Sequence, residues 1–305
     1  MDKIPIMRNY SYLKATILCL ALLVTGIKAT RAQQQTGLLW EITGNDLKQP
    51  AWLFGTVHMF DTTMYQLPQA PFELLPKVDK VYFEMDFSKL NPAEMMAAMM
   101  ITDTTQYLNK LLDTPSLNRL KALGTSSPMI KMMGDKIYAI KPLLLISMLT
   151  SSATQATMVD LEIFKVAMAQ QKPVGGLETT KDQMAAIDQV PITRQAEMMK
   201  KYFNHSKSLN QQVSELTAVY AKQHINDLMT QVNDNMPVDA SFDEAIRLKR
   251  NETMTNKIDS ILRTEHPLIA VGGGHLGNSD GLIALLEKKG YQLKSIPFTF
   301  QKAHK

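Results

Sequence analysis

Pro267-Leu268-Ile269-Ala270-Val271-Gly272-Gly273-Gly274-His275 is the stretch that decides how this chain folds. An unbroken apolar run of strand length, bounded by proline and glycine, reads as a buried strand. Glycine at its end permits a sharp turn or a close backbone approach. More than two hundred residues earlier the same plan occurs in Ala51-Trp52-Leu53-Phe54-Gly55-Thr56-Val57-His58. In each copy an apolar strand ends in glycine and a histidine follows three residues later. In an α/β sheet the carboxyl ends of parallel strands open onto the crevice where ligands bind. If the two strands are neighbours in one sheet, His58 and His275 converge there.

Outward from these two strands, Trp40-Glu41-Ile42 reads as a third, joined to 51–54 by a turn at Gly44-Asn45-Asp46. Val81 to Asp86 alternates with period two, placing Val81, Phe83 and Met85 on one face and Tyr82, Glu84 and Asp86 on the other. Pro173 to Glu178 predicts a short strand followed by an N-cap at Thr179 or Thr180, and Tyr291 to Phe298 a last strand. Between them the pattern is helical. Asn91-Pro92 is a start signal, and helices are expected over 103–112, 115–123, 137–150, 158–170, 192–232 and 279–289. A further helix over 239–263 is either continuous or broken near Asn251. The expected fold is α/β: a central mixed sheet with flanking helices and a helical cap inserted mid-chain, 91–170 and 192–263 being mainly helical. The methionine pairs Met95-Met96 and Met99-Met100 are read as an apolar packing face.

Residues 1–32 read as a secretory signal peptide. A basic lead (Lys3, Arg8, Lys14) precedes an apolar run from Ala15 to Val24 and small residues up to Ala32. That run is shorter than the roughly 20 residues of a membrane span. The expected product is an exported domain over 33–305, periplasmic or secreted, with no stable membrane span. The leader holds five basic residues and one acidic one, so without it the formal charge falls from +4 to zero. The basic balance therefore gives no case for nucleic-acid binding. It also carries the only cysteine, Cys19, so the exported part needs a core that holds without disulfides.

Imidazole at a strand-end crevice serves as a metal ligand or as a general acid–base. A single histidine after a strand is as a rule structural; the repetition is what singles out His58 and His275. Glu84 stands at another strand end, where it is either a third site residue or a solvated edge carboxylate. Competing motifs fail on context. Gly272-x-Gly274-x-x-Gly277 lacks the acidic residue about 20 positions on that a dinucleotide site needs. Gly277-Asn278-Ser279-Asp280-Gly281 lies too far beyond its strand for a nucleophile elbow, and only His304 follows it. HExxH is absent, and His205, His224, His266 and His304 carry no assigned role.

Taken in order, these residues resemble the TraB/PrgY/GumN family, which includes the Tiki-type proteases that inactivate Wnt proteins. The likeness runs over about residues 36–300. It rests on the GTVH turn, Glu84, Gly176-Leu177-Glu178-Thr179 with Gln183, Arg250-Asn251, and GGGH-Leu-Gly with Gly281 and Gly290-Tyr291. Met158-Val159-Asp160 lacks a glycine expected before the aspartate, and Asn278-Ser279 replaces a commoner glycine; neither departure touches the histidines. The resemblance implies divalent-metal-dependent proteolysis supported by Mn2+ or Co2+. It implies His58 and His275 as metal-site residues and Glu84 as ligand or base. In the corresponding hypothesis Glu178 or Asp160 takes the proton and Arg250 stabilises negative charge, unless Arg250 is a structural ion pair. A peptide or protein would be the substrate. The alternative is an exported protein that holds a metal, haem or peptide in the same cleft without turnover.

Overall fold

The computed structural model describes residues 36–125, 128–153, 156–205, 207–235 and 240–303. The expected leader and His304 lie outside them. Six strands form one mixed sheet: β1 Leu39–Gly44, β2 Ala51–Thr56, β3 Val81–Met85, β4 Val174–Glu178, β5 Leu268–Gly272 and β6 Tyr291–Ser295, in the order β4-β3-β5-β2-β1-β6. β2, β5, β3 and β4 are mutually parallel, and β1 pairs antiparallel with both β2 and β6. The two glycine-ended strands are thus direct neighbours, as expected. The β1–β2 turn takes left-handed backbone at Gly44 (φ 86°), Asn45 (47°) and Asp46 (59°), residue types that tolerate it. The class is α/β, with helices flanking the sheet.

Each sheet face has its own apolar cluster. Leu53, Tyr82, Ile269 and Val271 pack against Met254 and Ile258 of the helix Lys249–Leu262. Phe54, Val81, Phe83 and Ala270 pack against Ile163 and Tyr220. A third cluster, including Leu108, Leu145, Leu149 and Met199, belongs entirely to the helical middle section. Parallel strands covered on both faces lose the solvent-facing side that alternation suggests. The face bearing Tyr82 and Glu84 is accordingly covered, and β3 is an interior strand.

The helices need more correction than the strands. The stretch 192–232 is three helices, Ile192–Phe203, Leu209–Ala221 and Ile225–Asn235. Ser208 and Gln211 form a capping box at the second start, and Gln223 (φ 59°) breaks the chain before the third. The segment from Ala240 to Leu262 runs on past Asn251; its irregularity is a π-helical turn at Glu244–Leu248. Asn91 caps Pro92–Met99 as expected, its side chain accepting from the Ala93 and Glu94 amides. The methionine pairs divide: Met99 and Met100 pack, partly buried, against the third cluster as expected, whereas Met96 is exposed. Among the described residues no helix is long and apolar enough to cross a membrane.

Candidate functional site

Because β2, β3, β4 and β5 run parallel, their carboxyl ends lie along one edge of the sheet, at Thr56, Met85, Glu178 and Gly272. The paired registers are Gly55 with Val271 and Thr56 with Gly272, so the two histidine turns leave side by side, offset by one residue. Glycine there serves close approach rather than left-handed backbone. A Cβ on Gly55 would stand 3.1 Å from the Gly273 Cα, and one on Gly272 3.1 Å from Glu84 Oε1. Tyr220, fully buried, donates its hydroxyl to the Gly55 carbonyl at 2.7 Å and ties the first turn to the helix Leu209–Ala221.

His275 is buried, with Nδ1 2.6 Å from Asn251 Oδ1. Asn251 is itself fully buried and donates Nδ2 to the Asp280 carbonyl at 2.9 Å, so its oxygen is the atom left to accept from the ring. The proton therefore sits on Nδ1, and Nε2 presents a bare lone pair 3.7 Å from Glu84 Oε1. Burial pushes the His275 pKa down to about 4 against the pull of Glu84, with Arg250 also lowering it; the ring is neutral at pH 7. Asn251→Ala should leave both Nδ1–H and the Asp280 carbonyl unpaired. The expected loss is about 1–3 kcal/mol in a chemical-denaturation midpoint, and an unchanged midpoint would show the bond is dispensable.

His58 is held differently. Phe60 and Thr157 bridge through two backbone bonds, Phe60 N–H to Thr157 at 2.9 Å and the reverse at 3.0 Å. That bridge brings Asp160, in the first turn of the helix Val159–Ala169, to His58, with Nε2 3.3 Å from Oδ2. Dense packing around the ring works against its charge. Half the ring surface is nonetheless open to water, which relieves that cost, and the Asp160 carboxylate, aided by Glu84, raises the pKa to about 9.

Glu84 lies between the two histidine turns and a buried guanidinium. Its Oε1 accepts from the Gly272 amide at 2.8 Å, and its Oε2 meets Arg250 Nη2 at 2.5 Å. Burial would raise its pKa; His275, which is protonated in the acid range where Glu84 titrates, with Arg250, His58 and the Gly272 N–H, holds it well below the usual carboxylate range. Arg250 also clasps Glu178, with Nη2–Oε2 at 2.6 Å and Nε–Oε1 at 3.0 Å. Gln183 donates to both carboxylates, at 3.3 and 3.4 Å. The Glu178 side chain is 2% exposed.

All six residues singled out by sequence thus meet at one sheet edge, in two linked groups: His58 with Asp160, and His275 with Glu84, Arg250 and Glu178. Arg250 is the bridge of a carboxylate–guanidinium–carboxylate network, and Glu178 lies behind it. Sequence reading missed Arg247, which chelates Asp243 through Nε (2.7 Å) and Nη2 (2.6 Å) and reaches Asp280 through Nη1 at 2.6 Å. It anchors the loop that holds Asn251. Its only local sign was an i, i+4 Asp–Arg spacing, which any solvated helix face also shows.

The donor chemistry suits a divalent ion in part. His275 Nε2 and Glu84 Oε1 face one another, while His58 is turned to Asp160. Among the described residues, no three His, Cys, Asp or Glu side chains stand grouped so as to hold a metal ion.

A model of the TraB/PrgY/gumN family matches residues 38–295, most of the chain. The chain belongs to the TraB/PrgY/gumN family. No curated protein and no solved structure gives a match. In this family member the matched span takes in every site residue described above, from His58 to His275.

Proposed function

We propose that this TraB/PrgY/gumN protein is a metal-dependent hydrolase acting on peptides or proteins, with His58, Glu84 and His275 as the residues that would hold the ion, Mn2+ or Co2+. The observation that carries the reading is His275, a buried neutral imidazole whose bare Nε2 is fixed by Asn251 and aimed at a carboxylate. Such an orienting partner is what metal-ligating histidines use. His58 would turn from Asp160 to join them. A bound ion would supply a water of lowered pKa and polarise a substrate carbonyl.

The chain's own residues supply the rest. Asp160 suits proton transfer better than Glu178, because it is bonded to a half-exposed ring, whereas both Glu178 oxygens are engaged by Arg250. Arg250 keeps Glu84 ionised and oriented, which any ligand or base role for Glu84 requires. The helical segments 91–170 and 192–263, which provide Asp160 and Arg250, would act as a cap on this edge. Residues 1–32 would direct export, leaving the protein periplasmic or released.

The test is a peptide-library assay on purified protein with and without Mn2+ or Co2+. Metal-dependent cleavage is expected, lost in His58→Ala and in His275→Ala while circular dichroism shows both folded. Unchanged turnover in both variants would sink the proposal. Stoichiometric metal binding without cleavage would favour a protein that holds its ligand without turnover. What supports that second reading is the enclosure of Glu178 and Arg250 in one closed network.

A further inference from the structure

We propose that the free edge of β4 takes an extended acidic peptide as an added strand and so leads substrate backbone to the candidate site; this rests on the peptidase reading above. β4 ends the sheet order and pairs only with β3. The Val81 N–H donates to the Pro173 carbonyl at 3.0 Å, and Val81 is in register with Val174. In a parallel ladder this phase turns Gly175 and Leu177 toward β3 and turns the N–H and C=O groups of Val174 and Gly176 outward. Among the described residues no hydrogen bond reaches those outward groups.

A groove of about 660 Å³ follows this edge. One wall comes from Asp86, Lys89 and Glu94 after β3, the other from Lys257 and Ser260 on the helix Lys249–Leu262 and from Thr264 just beyond it. Its inner end is Glu178, the same residue that Arg250 clasps in the candidate site. A cleft that straddles an unpaired edge, with walls from both sheet faces, has the shape left by a missing strand.

Charge selects the occupant. Three of the groove's four carboxylates have a cation beside them, Asp86 with Lys89, Glu178 with Arg250 and Glu265 with Lys80, while Glu94 is bonded by the neutral Asn91 amide. Lys181 and Lys257 line the same groove and form no ion pair among the described residues. An added strand with carboxylates at alternate positions meets these two ammonium groups while its backbone pairs with Val174 and Gly176. Edge lysines also deter pairing between copies, and the experiment separates the two roles.

The probe is fluorescent acetyl-(Val-Glu)3-amide, titrated into the folded His58→Ala protein and followed by amide hydrogen exchange. Binding is expected, with new protection at the Val174 and Gly176 amides. N-methylation of alternate peptide residues should weaken it at least about tenfold, a difference of roughly 1.4 kcal/mol. The double variant Lys181→Glu/Lys257→Glu should reverse the preference toward acetyl-(Val-Lys)3-amide. Binding unaffected by N-methylation would overturn strand addition. So would a double variant that merely self-associates while the parent never binds the peptide. A parallel assay of the wild-type protein with Mn2+ keeps the two readings apart. Hydrolysis of library peptides without protection at Val174 and Gly176 overturns the edge inference alone. Protection without hydrolysis of any peptide supports the edge and overturns the peptidase reading.

Discussion

Arg250→Met will remove several kcal/mol of stability, and the loss will shrink as the pH falls. Among the described residues the guanidinium is the only cation in direct contact with both Glu84 and Glu178, whose side chains are 14% and 2% exposed. Breaking a buried pair from one side leaves uncompensated charge and costs about 3–5 kcal/mol. Here two carboxylates are stranded by one deletion. The pH dependence follows from the direction of the Glu84 shift. Its folded pKa lies below the ordinary value of 4.5, so in the parent it contributes stability above that pH, and the contribution fades as pH falls through the folded pKa. Without Arg250 one of the charges that oppose burial is gone, and the carboxyl takes its proton more readily. The variant is therefore worst off at neutral pH and approaches the parent in acid. Urea melts of parent and variant at pH 7 and pH 4 measure this, and an equal gap at both would refute the account. Adding Glu178→Gln to Arg250→Met should recover part of the loss, because one stranded charge is gone.

The same network shows how far the sequence could be read. Residues that end parallel strands were legible, since strand length, terminal glycine and a histidine three residues on are local signals. They aimed His58 and His275 at one crevice, given neighbouring strands, and set Glu84 at another strand end; Glu178 entered only through the family resemblance. Pairings across elements were not legible. Asp160 reaches His58 because Phe60 and Thr157 bridge, almost a hundred residues apart in the chain, and the Val159 N–H donates to the Val57 carbonyl; no residue type announces these bonds. Arg250 carries the same sequence signal whether it faces solvent, substrate or two buried carboxylates; the π turn at Glu244–Leu248 sets its direction, and such turns have no reliable pattern. The breaks within 192–232 were partly readable: Ser208-x-x-Gln211 is a capping-box pattern, passed over because the apolar period continues through it. Helix Pro92–Met99 misled for a different reason. Its methionines share helical spacing, but packing depends on a neighbour: Met99 meets the helical cluster, and Met96 meets none and stays exposed.

Gly281→Ala should disable the site although residue 281 touches neither histidine. An added Cβ would lie 2.0 Å from the Gly277 carbonyl oxygen and 2.3 Å from that of Leu276. Both are backbone atoms that cannot turn aside as a side chain can. The loop is closed by Gly281 N–H to Asn278 at 3.2 Å and Ile283 N–H to Leu276 at 3.3 Å, with Asn278 already in left-handed backbone at φ 67°. Relief must come from displacing residues 276–280. That displaces the Asp280 carbonyl from Asn251 and its carboxylate from Arg247. Asn251 then loses one of the two bonds that fix its orientation, and with it the tautomer of His275 is no longer imposed. The expected result is a loss of more than about 2 kcal/mol, in the range where overpacking and a broken buried network combine. The ring-nitrogen resonances of His275 should then report a mixture of tautomers in place of the single Nδ1–H form. Ser279→Ala is the control two residues away: Ser279 is exposed, and its removal should leave stability and any hydrolysis unchanged. A severe Ser279→Ala with a harmless Gly281→Ala would mean that the loop acts through a serine nucleophile rather than by holding Asn251 against His275.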